Sequence, residues 1–167
     1  ESGRPLWYLL TRWDHEGDKW RRMLARTAAA AADGIDIRAQ VSSRPIGLLM
    51  GLQCSLHPFV AYSGYREVKH LPPAELAAAL REPGRRQAIL DEVKQPKSGL
   101  MKTVIKDFHK LFPMSDPMDY EPGYEASVAG LAEKAGVDAK AMALDLLSEG
   151  DGTRLFFFPI VNYGDGD

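Results

Sequence analysis

Residues 5–10 read Pro5-Leu6-Trp7-Tyr8-Leu9-Leu10, and residues 35–42 read Ile35-Asp36-Ile37-Arg38-Ala39-Gln40-Val41-Ser42. Between them, Trp20, Met23, Leu24, Thr27, Ala28 and Ala31 recur at the spacing of one helical face, which predicts an amphipathic helix over 19–33. The first stretch is an apolar run of strand length, and in the second Ile35, Ile37, Ala39 and Val41 alternate with polar residues, the period of a half-buried strand. Asp18 stands where an N-cap belongs, and Gly34 where a helix takes its left-handed end. A strand, a helix and a strand joined by short loops point to a parallel βαβ crossover, because parallel strands need a long connection and a helix supplies it. The chain opens on this apolar strand and closes on Phe156-Phe157-Phe158-Pro159-Ile160-Val161 and Gly164-Asp165-Gly166-Asp167, so it is expected to be a piece of a larger α/β enzyme.

Outward from the crossover, residues 44–71 are interrupted by Pro45, Gly47, Gly51, Pro58 and Gly64 and read as a long loop with short helical or strand pieces. Loops that leave the carboxyl ends of parallel strands carry ligand sites, so this stretch is the first place to look for function. Leu71-Pro72-Pro73 opens a helix through Arg81; Pro83-Gly84 breaks it, and further helices are expected over 85–94 and 100–111. Residues 113–123, with Pro113, Pro117, Pro122 and Gly123, read as an ordered loop. Residues 127–135 and 138–147 form a helical hairpin split by Gly136, and 155–161 is a continuously apolar strand covered on both faces. The expectation is a helix-rich α/β chain with about three strands, in three parts: a strand-helix-strand with its long loop over 1–70, a helical insertion over 71–122, and a hairpin with a final strand over 123–167.

Composition narrows the function classes. A chain of 167 residues, 45% hydrophobic and 26% charged, is ordinary for one globular domain. Its 21 basic and 23 acidic residues leave a net charge of −2, so neither nucleic acid nor a membrane surface is an expected partner. The single Cys54 allows no internal disulfide and no CxxC metal site, which makes a cytoplasmic location the default.

Several phrases carry a resemblance: Gly34-Ile35-Asp36-Ile37-Arg38-Ala39-Gln40-Val41, Arg44-Pro45-Ile46-Gly47, His57-Pro58-Phe59, the run from Arg81 to Leu90, and Asn162-Tyr163-Gly164. Together they resemble the amidohydrolase superfamily, in particular the D-aminoacylase-like N-acyl-D-amino-acid deacylases. The resemblance implies a segment of a (β/α)8 barrel, a zinc-dependent parent enzyme, and hydrolysis of a non-peptide C–N amide bond in an N-acyl amino acid. The family's His-x-His pair is absent, and Trp7-Tyr8-Leu9-Leu10 stands where a Ser-His-x-Lys phrase is usual. The zinc ligands and catalytic groups are therefore expected outside this chain, and the isolated segment is expected to be inactive.

Six residues are candidates for holding substrate. Arg44 follows a predicted strand and can clamp a carboxylate with its planar fork of donors. His57 lies in the long loop and suits a ligand or proton carrier, with Tyr62, Tyr65 and Arg66 near enough in sequence to line a pocket. Asn162 follows the last strand, where a barrel places active-site groups. A second reading from another class is a non-catalytic helical interaction module; under either reading unpaired strand edges favour a homo-oligomer.

Overall fold

The structure, a computed structural model, describes residues 3–13, 16–94 and 107–163. The chain divides into two compact units, one from Glu1–Gly47 with Pro159–Asp167 and the other from Leu48–Phe158.

The first unit is the βαβ crossover: strand β1 (Leu6–Leu9), helix α1 (Lys19–Ala32) and strand β2 (Ile37–Gln40). The strands pair in parallel, Leu6 opposite Ile37 and Leu9 opposite Gln40. Bonds of 2.8 Å from Leu6 N to Asp36 O and from Leu10 N to Gln40 O extend the ladder. The Tyr8 hydroxyl meets the Thr27 hydroxyl at 2.5 Å, which places Leu6 and Tyr8 on the α1 side of the sheet and Trp7 and Leu9 on the other.

Two expectations fail in this unit. The helical face of Trp20, Met23 and Leu24 does not become a core, since α1 has no buried residue and Leu24 is 47% exposed. Trp7, in the apolar run of β1, is 46% exposed. Two strands of four residues are too narrow to cover a 14-residue helix or both of their own faces. Asp18 occupies the N-cap position, but its backbone is close to helical (φ −78°, ψ 14°), and its carboxylate makes no cap bond and lies 3.6 Å from Arg21 Nε instead. Gly34 does take the left-handed conformation at φ +82°.

The second unit surrounds a small sheet with helices α2 (Ser63–Arg66), α3 (Pro73–Arg81), α4 (Pro83–Asp91), α5 (Val128–Ala135) and α6 (Ala139–Leu147). The sheet has the order β3-β5-β4, with β3 at Ile46–Met50, β4 at Phe112–Pro113 and β5 at Phe156–Val161; residues 48–50, 112–113 and 156–158 are its share of this unit. Strands β4 and β5 are antiparallel, Phe112 opposite Phe157. The described residues thus hold five strands in two small sheets, where about three were expected. Strand β3 escaped because Pro45, Gly47 and Gly51 punctuate it, and β4 is only two residues long.

The continuous apolarity of β5 matches its burial: Phe156 and Phe158 are sealed in a core with Phe59, Leu80, Ile89 and Leu144. Helix α3 spans the expected residues, but α4 begins at Pro83 and ends at Asp91, short of the expected Lys94. Proline is at home in a first turn, and the Glu82 carboxylate caps that turn by accepting from Gly84 N and Arg85 N. Cations from neighbouring helices close two C-termini: Arg81 donates to the carbonyls of Ser148 and Gly150 beyond α6, and Lys140 Nζ donates to Leu90 O (2.9 Å) and Glu92 O (2.8 Å) at the end of α4. Arg86 and Asp145 join the same two helices by two bonds of 2.7 Å.

The hairpin of α5 and α6 follows its sequence signals. Ser127 Oγ accepts from Gly130 N, Gly136 turns at φ +67°, and the Asp138 carboxylate accepts from Ala141 N. Residues 100–106 of the third expected helix, and His15, lie outside the described residues; residues 108–110 make a single 3-10 turn. Among the described residues, no helix is long and apolar enough to cross a membrane.

Candidate functional site

A cleft of about 370 Å³ opens in the first unit at the carboxyl ends of β1 and β2, lined by Arg12, Trp20, Arg21, Ser42, Arg44 and Asn162 among others. Each segment arrives for a local reason. The ladder of β1 ends at Leu10, so Arg12 lies just beyond it, and α1 follows, placing Trp20 and Arg21 in its first turn. Strand β2 ends at Gln40, and the polar turn after it carries Ser42 and Arg44.

Asn162 enters by way of β5, and its backbone is left-handed at φ +61°, a conformation asparagine tolerates better than most residues. It is fixed there by a reciprocal pair: Asn162 N donates to Arg12 O at 3.0 Å, and Arg12 N donates to Asn162 Oδ1 at 2.9 Å. With Oδ1 committed to that bond, the amide Nδ2 is the donor left for the cleft.

The lining is electrostatically one-sided. Among the described residues it contains three arginines and no Asp or Glu. Arg21 lies over the Trp20 ring, 4.6 Å from its centroid, and its contact with Asp18 is solvent-exposed on both sides, so its charge is only weakly offset. Guanidinium forks, two serine hydroxyls and an amide donor suit a small anion, and the Trp20 face suits an apolar body attached to it.

Of the six sequence candidates, Arg44 and Asn162 meet in this cleft. The other four belong to the second unit. His57 is fully buried; its Nδ1 accepts from Phe59 N at 3.2 Å, its ring meets Tyr65 edge-on at 4.4 Å, and its Nε2 has no partner among the described residues. Burial lowers its pKa to about 4, so it is neutral at physiological pH and carries its proton on Nε2. Tyr62 and Tyr65 are core residues, Tyr62 lying under the Lys140 ammonium at 4.5 Å, and burial raises the pKa of both phenols. Arg66 is exposed and donates to Val60 O.

A second cleft, of about 350 Å³, lies between α2 and α4 and is lined by Glu67, Glu82, Arg85 and Glu92. Its acids already have partners. Glu67 pairs with Arg85 at 2.7 Å, Glu82 caps α4, and Glu92 accepts from Ser63 N, Ser63 Oγ and Lys94. Lys94, followed by Ser63, holds the Glu92 carboxyl down at about 2. This cleft joins helices through groups that are already in use.

Arg12, Trp20, Arg21 and Ser42 were not among the sequence candidates. The rule that sites sit beyond the carboxyl ends of parallel strands applies to the loop after β1 as much as to the loop after β2, and that signal points to Arg12 and Arg21. Among the described residues, no group of three or more His, Cys, Asp or Glu side chains is placed to hold a metal ion. The described residues do not fit a zinc centre. No family model matches the chain, and no curated protein and no solved structure matches it.

Proposed function

We propose that this chain is a segment of a metal-dependent amidohydrolase, built on a (β/α)8 barrel, that hydrolyses the amide bond of an N-acyl amino acid. In this reading the segment holds the substrate's carboxylate, and the parent's other residues hold zinc. The observation that carries the proposal is the arginine-lined cleft at the carboxyl ends of two parallel strands, with Arg44 and Asn162 both on its wall. Arg44 grips the carboxylate, the Asn162 amide and the Ser42 and Ser43 hydroxyls orient it, and the indole of Trp20 covers the apolar part. These groups bind and position; none of them is assigned a bond-breaking step. The isolated segment is accordingly inactive.

The experiment is a steady-state comparison in the zinc-loaded parent protein. Arg44→Gln should raise KM for N-acyl amino acids by about tenfold or more with kcat less affected, because the lost contact holds substrate and transition state alike. An unchanged KM would remove Arg44 from the site.

A second reading, a self-associating interaction module, is favoured by the exposure of Leu6, Trp7 and Leu9 on β1. Both readings allow an oligomer, so calorimetry with an N-acyl amino acid separates the two, beside sedimentation: only the enzyme reading requires the ligand to bind. Under the module reading Trp7→Ser dissociates an oligomer, and under the enzyme reading Trp7→Ser leaves substrate binding by the cleft unchanged.

A further inference from the structure

Residues 57–62 run through the second unit as a chain of tight turns: Val60 N donates to His57 O at 3.3 Å and Tyr62 N to Phe59 O at 2.9 Å. The His57 ring closes the first turn from inside, since Nδ1 accepts from Phe59 N at 3.2 Å and Tyr65 of α2 lies against the ring. That bond requires an unprotonated Nδ1. A second proton would turn the acceptor into a donor facing another donor. It would also put a cation on a ring with no exposed surface, whose Nε2 has no partner among the described residues. The groups around the segment do not relieve that charge. Tyr62 and Tyr65 are phenols that burial keeps neutral. Glu92 is committed to Ser63 and Lys94, Arg85 to Gly64 O and Glu67, and Lys140 over Tyr62 is no partner for a cation. None of them shifts His57, whose lowered pKa has burial as its cause.

We propose that His57 is an acid-operated latch: protonation of its ring breaks the bond to Phe59 N and releases residues 57–62 from the core, while α2 remains tied to the end of α4. Phe59 and Tyr62 leave with the segment, because both stand on the turns that His57 closes. Ser63 stays, because its amide and hydroxyl bind Glu92 and not the histidine. Glu92 is held down at about 2, so it is still ionised where His57 takes its proton, and its hold on Ser63 outlasts the latch. The hinge therefore lies between Tyr62 and Ser63.

Amide hydrogen exchange of the whole chain, read as protection factors at pH 7 and pH 4.5, tests the latch. An ordinary pKa of 6.5 in the released segment against about 4 in the closed one predicts that protection of Phe59, Val60 and Tyr62 falls about 50-fold over that range. At pH 4.5 it should lie at least about tenfold below that of Leu144 and Leu147, buried in α6, because the core stays folded when the segment opens. Ser63 N, on Glu92, should not share the fall. His57→Asn is the matched variant, since its side-chain oxygen accepts from the amide two residues on, as the imidazole does, and does not titrate. The fall should vanish in it. Unchanged protection at pH 4.5, protection equal to that of Leu144 and Leu147, a fall shared by Ser63, or a fall that persists in His57→Asn would each overturn the latch. Should the smaller side chain unfold the variant, an NMR titration of His57 in the unaltered chain replaces it: protection is expected to fall together with protonation of the ring, and a loss at a different pH would overturn the latch.

Discussion

Asn162 and Arg12 hold each other by two main-chain-directed bonds, one in each direction, and Asn162 does so from a left-handed backbone. The side chain thus has a conformational role and a bonding role at one position. Asn162→Gly keeps the left-handed conformation at no steric cost but loses the bond to Arg12 N; Asn162→Ala loses both. The alanine variant should lose about 1–3 kcal/mol of stability and the glycine variant about 1 kcal/mol, read from urea midpoints. Equal losses would show that the backbone strain is immaterial.

His57 makes stability depend on pH in a definite direction. Its pKa is about 4 in the folded chain against an ordinary 6.5, so below pH 6.5 the unfolded chain takes up a proton that the folded chain refuses. The contribution is fully present above 6.5 and is lost as pH falls through about 4, by up to about 3 kcal/mol. Glu92, held down at about 2 against an ordinary 4.5, adds its own loss only below that higher value. Urea titrations from pH 7 to pH 4.5 should therefore show a slope that His57→Phe removes. A slope that persists in the variant would assign it to other groups.

Gly130 sits where helix α5 crosses the turn at Tyr124–Ala126, and a methyl group there would run into Tyr124 O and meet Glu125 Cα at 2.9 Å. Both obstacles are backbone and cannot rotate aside. Gly130→Ala should cost about 1–3 kcal/mol or more in the thermal or urea midpoint, even though alanine is the better helix former by about 1 kcal/mol. A stabilised variant would mean that the turn moves freely away from the helix.

Lys140 fastens the end of α4 through two carbonyls and lies over Tyr62. Lys140→Met keeps most of the apolar stem and removes three donors. The variant should lose about 1–2 kcal/mol, with faster amide hydrogen exchange in the last turn of α4. Exchange unchanged in that turn would show that the ammonium caps nothing.

Local signals proved legible where the chain's own chemistry decides the outcome. Pro73 opened α3, Asp138 capped α6, and Gly136 and Gly34 turned left-handed where a helix had to end. The parallel pairing of β1 with β2 followed from the length of the connection between them. Burial was less legible, because it depends on partners. The face of α1 has helical spacing but finds only two short strands, and Trp7 is exposed for the same reason. The strand-end rule points to Arg44 and Asn162, and both line the one cleft. The loop after β1, which carries Arg12 and leads to Arg21, offers the same signal, but without a motif to single those residues out. His57, Tyr62 and Tyr65 have residue types that suit catalysis as well as packing, and only their neighbours reveal that they pack.

The most direct measurement of the central claim is amine release from N-acyl amino acids by the zinc-loaded parent protein and, separately, by this chain. Zinc-dependent turnover by the parent, with none by the chain alone, is the predicted result. A parent that releases no amine from any N-acyl amino acid, or that does so equally well without a divalent metal, would contradict the amidohydrolase reading.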